Sequence, residues 1–391
     1  MTVIQQNITT HFNFPVYFTQ NLFEHENKIF VNTVCSEEKE MQHRVLFVID
    51  HNVAKAHPQL IPSLKSYADF HSRHILLAAE PVIVTGGEEV KNDMSHVWDI
   101  VDKVNQFGID RHSFIAIIGG GAVLDMASFA AAISHRSVRA IRIPTTVLSQ
   151  DDSGVGVKNG VNMFGKKNFV GTFQTPFAVI NDINFIPTLD HRDKIAGVAE
   201  AVKVAAIRDR EFFQYLETNQ EKISEGNLDS LAYLIQRCAK LHMHHIGNSG
   251  DPFELGSARP LDFGHWCAHK LETLSHNRVR HGEAVAVGIA LDSIYSWKVG
   301  HLTEEKALRV IRLLQELGLP LWEEELLLKG DTGSYMVLEG LREFREHLGG
   351  DLHITLLRDI GDGFEVNEMN EDLVIESIHW LQNLKRNSNA A

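Results

Sequence analysis

Cysteine is scarce in this chain. Three occur in 391 residues, Cys35, Cys238 and Cys267. An odd number with no CxxC spacing fits a reducing compartment better than a disulfide framework and leaves the three as packing residues. Positive charge is short as well: 37 Lys and Arg against 51 Asp and Glu leave a net charge of −14, and such a surface attracts neither nucleic acid nor an anionic membrane. An anionic substrate must therefore be caught by local cations. No apolar run approaches the roughly 18 to 20 residues of a membrane helix. The opening residues lack a basic stretch leading into an apolar one, so no signal peptide is expected and the cytoplasm is the expected location. Internal repeats, low-complexity tracts and Pro/Ser-rich linkers are also missing.

What is present is an ordinary globular composition, 44% apolar and 23% charged, in a chain long enough for two domains. Short continuous apolar runs of the kind that form buried parallel strands occur at Arg44 to Asp50, Pro81 to Thr85, Phe114 to Ile118 and Ala140 to Ile143. Helical patterns at Glu89 to Phe107 and Asp125 to Ile133 lie between them, so the first part is expected to be α/β around a parallel sheet. Beyond about residue 187 the periodicity turns helical, clearest at Ala196 to Ile207, Leu231 to Met243, Phe263 to Leu274 and Gly282 to Ser296. The expected domains are 1–186 and 187–391, closely packed with a cleft between them.

The third apolar run leads into Gly119, Gly120 and Gly121 and then a helical segment with Asp125. Glycines there let backbone amides and a helix N-terminus approach a diphosphate. The spacing GGGxxxD is not the common GxGxxG fingerprint, and a tight structural turn would use the same residues. Asp50, at the end of the first run, could accept ribose hydroxyls and would repel a ribose phosphate, favouring NAD over NADP; it could equally be a turn residue or helix cap.

The segment AGVAEAVKVAA, Ala196 to Ala206, is apolar almost all round except for Glu200 and Lys203. Charges in a buried helix must be paired, neutralised or bound to metal, and these two, three apart, share a face. An internal salt bridge is one reading. Further on, His265 and His269 sit one helical turn apart, and His281 and Glu283 open another apolar helix. One carboxylate with two imidazoles is a common catalytic zinc arrangement. Spacing does not choose between His265 and His269, and His242, His244 and His245 compete. Between Pro144 and Phe173 a glycine-rich stretch carries Lys158, Lys166, Lys167 and Asn168, which suits a loop closing on a phosphate, as it would a solvated basic loop. Arg136 is a further cation candidate.

The motifs GGGxxxD, PTTxLxQxDSxVGxK, GKKNxxGxF, AExxK, FGHxxxH and HGEAVAxG follow one another here in the order seen in dehydroquinate synthases. The chain resembles that family, the sugar-phosphate cyclases, from about Asp50 to Gly350. The resemblance implies a Rossmann-like NAD-binding N-terminal domain, an all-α C-terminal domain that holds metal and substrate, and a homodimer. By it, zinc or cobalt would sit on Glu200, His265 and His281. NAD would be held by Asp50, Glu88, Lys91, Gly119, Gly120, Gly121, Asp125, Thr145 and Thr146. Asp152, Lys158, Lys203 and His269 would be catalytic, with Asn168 and Lys167 at the substrate and Arg136 reaching the phosphate from the partner subunit. The implied reaction oxidises a sugar phosphate at C5 with NAD, eliminates phosphate, returns the hydride and closes the ring by an aldol step.

The chain also departs from the family. Ala258 and Asp262 stand where the family has an arginine and an asparagine that grip a carboxylated head, and His244 aligns with a family lysine. Arg259 is one residue out of register. For the family's C-terminal lysine only Arg345 and His347 lie nearby. Asp262 would repel a carboxylate and accept bonds from hydroxyls. The expected substrate is therefore sedoheptulose 7-phosphate and the product a valiolone-type cyclitol. The alternatives are 3-dehydroquinate synthase itself, acting on the carboxylated heptulosonate phosphate, and a metal-dependent alcohol dehydrogenase of the glycerol type.

Overall fold

A computed structural model describes residues 3–248, 260–347 and 352–388. These form two compact units, one of Met1–Pro144 with Val157–Asp182, the other of Thr145–Gly156 with Ile183–Ala391. The second unit thus begins at Ile183 and also takes the short segment Thr145–Gly156, whereas the sequence pattern put one cut at 186/187.

The first unit is built on a parallel sheet of seven strands: β1 Val16–Thr19, β2 His43–Asp50, β3 Ile75–Leu77, β4 Val82–Val84, β5 Phe114–Gly119, β6 Arg139–Pro144 and, later in the chain, β9 Ala178–Asp182. Its order is β1-β9-β6-β5-β2-β3, with β4 also paired to β2. The run that forms β5 is buried on both faces, every one of its residues being buried. The helical pattern expected over Glu89 to Phe107 is broken in two, a 3-10 turn Glu88–Asn92 and a helix Ser95–Gln106. Asp93 is extended between them (φ −126°, ψ 111°) and its carboxylate accepts the Ser95 N–H at 2.8 Å, a local bond that competes with helix continuation.

The stretch expected to be a flexible loop is an antiparallel hairpin, β7 Lys158–Met163 and β8 Lys166–Phe173. Its glycines are packing residues: a Cβ on Gly171 would lie 2.5 Å from the Asn159 carbonyl.

The second unit is helical, with one departure from the all-α expectation: β10 Ile354–Asp359 and β11 Asp362–Val366 pair antiparallel. Their turn needs Gly361, at φ +85°, where a Cβ would meet the Arg210 backbone nitrogen at 2.7 Å. The three cysteines are free thiols. No helix of the described residues is long and apolar enough to cross a membrane.

Candidate active site

The helix His191–Arg208 starts where Asp190 accepts the Asp193 N–H at 2.7 Å, and its stretch Ile195 to Ile207 is wholly buried. Small residues let its backbone be approached. A Cβ on Gly282 would fall 1.8 Å from the Ala196 carbonyl oxygen, so the helix His281–Lys298 begins in direct contact with it one turn before Glu200. Glu283 fixes that start by accepting the Arg280 N–H at 2.9 Å. The helix His265–Leu274 follows Gly264, held at φ +81°.

These three helix segments bring Glu200, His265 and His281 together, with their ligand atoms within 4.8 Å of one another. Glu200 Oε1 lies 3.8 Å from His265 Nε2 and 3.4 Å from His281 Nε2. The other ring nitrogens are committed: His281 Nδ1 meets Glu272 at 3.1 Å, and His265 Nδ1 meets the Phe263 carbonyl at 3.3 Å. With Nδ1 engaged on each ring, the two Nε2 atoms face Glu200, as in metal centres whose ligands are oriented by outer partners. Glu200 is fully buried, yet among the described residues Oε1 has no hydrogen-bond partner. An orphaned carboxylate oxygen with two converging imidazoles fits a divalent ion of the zinc or cobalt kind. Of the two histidines that spacing left open, His265 is the one grouped with Glu200. His269 instead groups with Glu272 and His281 and has an exposed ring.

Lys203, equally buried, contacts Glu200 Oε2. Burial works against Glu200's charge, and the Lys203 ammonium overcomes it, holding the carboxyl at about 2. The same balance raises Lys203 above its ordinary range. Burial, then Lys203, lowers His265 to about 4, so this ring is neutral at pH 7. For His281 burial is outweighed by Glu272 and Glu200, which push it up to about 10: two carboxylates enclose a place for positive charge.

A π-turn, Ser149–Ser153, carries Asp152 beside this centre. Its Oδ1 takes His242 Nδ1 at 2.7 Å. Burial opposes ionisation of Asp152, but His242 and Lys203 hold the carboxyl well below its ordinary range. Next to it Asp151 is fully buried with neither oxygen hydrogen-bonded; burial and the charges of Asp152 and Glu200 push it well above its ordinary value. Asp262 is half-buried, and its charge acts on both Lys203 and His269. Ala258 and Arg259 lie outside the described residues, as does the side chain of His347. His244 and Arg345 are exposed.

In the first unit the expected cofactor residues gather at the C-terminal ends of neighbouring parallel strands, where nucleotides bind in such sheets. Asp50 ends β2, Gly86 follows β4, and Gly119 ends β5. Asp50 does cap a helix, accepting the Asn52 N–H at 2.7 Å. Gly86 packs on the same carboxylate so closely that a Cβ would come 2.3 Å from it. Gly120 and Gly121 open the helix ending at Ile133, presenting free amides. Buried Lys91 donates to Asp125 at 2.9 Å and to Asn168, with Glu88 at 3.8 Å. Asn168 and Lys167, expected at the substrate, thus join the cofactor group; Lys167 lies 4.0 Å from Glu88. Lys158, at the start of the hairpin, and Arg136, in left-handed backbone at φ +60°, are exposed on this unit. Thr145 and Thr146 belong to the second unit, directly after Pro144, which is in register with Gly119. The buried Thr145 hydroxyl has no hydrogen-bond partner among the described residues.

Sequence inspection missed three participants, Asn162, Glu272 and Asp151, and offered His242 only as a competing metal imidazole. Asn162 donates to Glu88 at 3.1 Å and Asn92 at 2.9 Å and accepts the Asn168 N–H at 2.9 Å. Glu272, Asp151 and His242 owe their roles to packing between distant segments, which no local pattern signals.

Two family models match the chain: 3-dehydroquinate synthase N-terminal over residues 81–196 and 3-dehydroquinate synthase C-terminal over 197–336. A 3-dehydroquinate synthase from Shewanella frigidimarina is 30% identical over 367 residues, covering 94% of this chain and 96% of the relative. Among solved structures, a 2-epi-5-epi-valiolone synthase from Streptomyces hygroscopicus subsp. jinggangensis with NAD+ and Zn2+ bound superposes with a TM-score of 0.84 at 26% identity, covering 97% and 99% of the two chains. A 2-deoxy-scyllo-inosose synthase complexed with carbaglucose-6-phosphate, NAD+ and Co2+ shares the fold, with a TM-score of 0.74 at 22% identity over 93% and 96%.

Proposed function

The chain belongs to the 3-dehydroquinate synthase family, and on that premise we propose that it is a sugar-phosphate cyclase that binds NAD and a divalent ion and eliminates phosphate from a seven-carbon sugar phosphate. The observation that carries this is the converging trio Glu200, His265 and His281, with an orphaned carboxylate oxygen, beside the buried Lys203. Bound NAD would supply a hydride acceptor and zinc or cobalt a Lewis acid. The chain's own residues do the rest. Gly119 to Gly121, Asp50, Glu88, Lys91, Asp125, Thr145 and Thr146 hold the dinucleotide. The Lys203 ammonium stabilises negative charge developing on a substrate oxygen. Asp152, kept ionised by His242, orients hydroxyls, and His269, open to solvent, donates or accepts a hydrogen bond at the sugar. Lys158, Lys167 and Asn168 supply polar contacts, and Arg136 reaches the phosphate from a second copy in a homodimer.

The name of the curated relatives makes the carboxylated heptulosonate phosphate the leading substrate, ahead of the carboxylate-free sedoheptulose 7-phosphate that the sequence had put first. One observation keeps the second substrate in play: Asp262 adds negative charge where a carboxylated head would be held. The test is phosphate release by the purified chain, supplied with NAD and zinc or cobalt, from each substrate separately. Release from the carboxylated substrate alone supports the dehydroquinate reaction. Release from sedoheptulose 7-phosphate alone reverses the order. NADH accumulation without phosphate sinks the cyclase. Asp262→Asn should shift kcat/KM toward the carboxylated substrate by about tenfold, the effect of removing ~1.4 kcal/mol of repulsion.

A further inference from the structure

His265 is held between two residues that share one acceptor. Asp292 lies on the helix His281–Lys298, three turns beyond the ligand His281 and fully buried. Its Oδ2 accepts the Gly264 N–H at 3.1 Å, and its Oδ1 accepts the Trp266 indole N–H at 2.9 Å. These residues flank His265 in sequence. The turn itself rests on the helix that carries Asp292: a Cβ on Gly264 would lie 2.6 Å from the Ile289 nitrogen, and one on Gly288 would lie 2.0 Å from the Gly264 carbonyl oxygen. Gly264 is at φ +81°, and its N–H has no partner inside the helix that begins at His265. The indole, 1% exposed, likewise needs a buried acceptor.

A buried carboxylate is an expensive way to fill a core, and an apolar side chain would fill the space at lower cost. Here its two oxygens join the segment bearing one metal-ligating histidine to the helix bearing the other. We propose that Asp292 is a positioning residue for the metal centre, one that fixes the place of His265 relative to His281 and so sets ion affinity. This rests on the metal site proposed above. Asp292 touches neither ion nor substrate. It acts through the backbone on one side of His265 and the indole on the other.

The experiment compares zinc affinity, by chelator competition, and the visible absorption of the cobalt-loaded protein in wild type, Asp292→Asn and Asp292→Asn/Trp266→Phe, with NAD affinity as the control. Asparagine offers one acceptor and turns an NH2 donor toward the second N–H. The expected result is about 10- to 100-fold weaker zinc binding and an altered cobalt spectrum, with unchanged NAD affinity. The double variant should recover most of the loss, because its asparagine oxygen can serve Gly264 with no indole donor opposed to the amide. Asp292→Asn that is folded, binds NAD and binds zinc within about twofold of wild type overturns the proposal. If Asp292→Asn does not fold, Trp266→Phe alone carries the test: zinc binding about 3- to 10-fold weaker supports the proposal and unchanged binding overturns it. Wild-type protein that takes up neither ion would overturn the metal reading itself.

Discussion

Replacing Glu200 by glutamine separates the two roles its carboxylate plays. In the chain freed of metal by a chelator, Glu200 is fully buried and is the partner of the buried Lys203. Burial alone would raise its carboxyl, and the ammonium instead holds it at about 2 against an ordinary 4.5. At about 1.4 kcal/mol per pH unit that preference corresponds to about 3 kcal/mol, close to the ~3 to 5 kcal/mol typical of breaking a buried pair from one side. Because the native value is depressed, the contribution is complete above pH 4.5 and is lost only as pH falls toward 2. Denaturant unfolding at about pH 8 therefore sees all of it. Glu200→Gln should lose about 3 kcal/mol, and Glu200→Gln/Lys203→Met should return to within about 1 kcal/mol of wild type, since no uncompensated charge is left buried. Zinc affinity should fall by at least about tenfold in both and be restored in neither, because both replace the anionic carboxylate ligand by a neutral amide. A single variant as stable as wild type, within ~0.5 kcal/mol, would refute the electrostatic account. Recovery of zinc binding in the double variant would refute the ligand assignment.

Three other measurements probe the neighbouring structure. Gly282→Ala should destabilise by about 3 kcal/mol or more in thermal unfolding and weaken zinc binding, because its Cβ meets the backbone of Ala196 at 1.8 Å and the two ligand-bearing helices must part. Lys91→Met, which leaves Asp125 and Glu88 without their common cation, should raise the NAD dissociation constant about tenfold, or ~1.4 kcal/mol, in a calorimetric titration; an unchanged constant would detach this lysine from the cofactor. Burial raises the Asp292 carboxyl to about 7 against an ordinary 3.8 even though Trp266 and Gly264 oppose the shift. The native state thus keeps a proton that the unfolded chain has lost, and its stability falls as pH rises through that window. The stability of wild type minus that of Asp292→Asn should drop by about 3 kcal/mol from about pH 5 to about pH 8, and a flat difference would show that Asp292 is ionised throughout.

The strands were legible because a strand buried on both faces writes itself as a largely apolar run, as β2, β5 and β6 do. Glu200 was legible because a charge in an apolar helix has few explanations. The hairpin β7–β8 was not: glycine, lysine and asparagine read as loop, and only the close pairing at Gly160 and Gly171 shows why glycine belongs there. β10 and β11 escaped notice although Ile354 to Leu357 precede a Gly-Asp-Gly turn, because they interrupt a helical stretch. The partners of the metal trio were hidden for another reason. Glu272 is nine residues from His281 and Asp292 is 26 from Trp266, so their roles exist only once the helices have met. Asp50 shows that two readings can hold together, for it caps a helix and still ends a strand at the glycine cluster.

That leaves the choice between a structural ion pair and a ligand set for the Glu200 helix. An ion pair retained for stability alone would be expected to satisfy both carboxylate oxygens, since an uncapped buried acceptor costs about 1 to 3 kcal/mol. Glu200 gives one oxygen to Lys203 and leaves the other without a donor, pointed at two imidazole nitrogens whose opposite faces are already engaged. Asp151, one residue from Asp152, is buried with both oxygens equally unmet. Packing by backbone contact at Gly282 and Gly264 denies the helices the freedom to relax and cap these groups. Stiff surroundings that keep polar atoms unsatisfied in one place are what a binding centre requires and what a structural salt bridge would avoid.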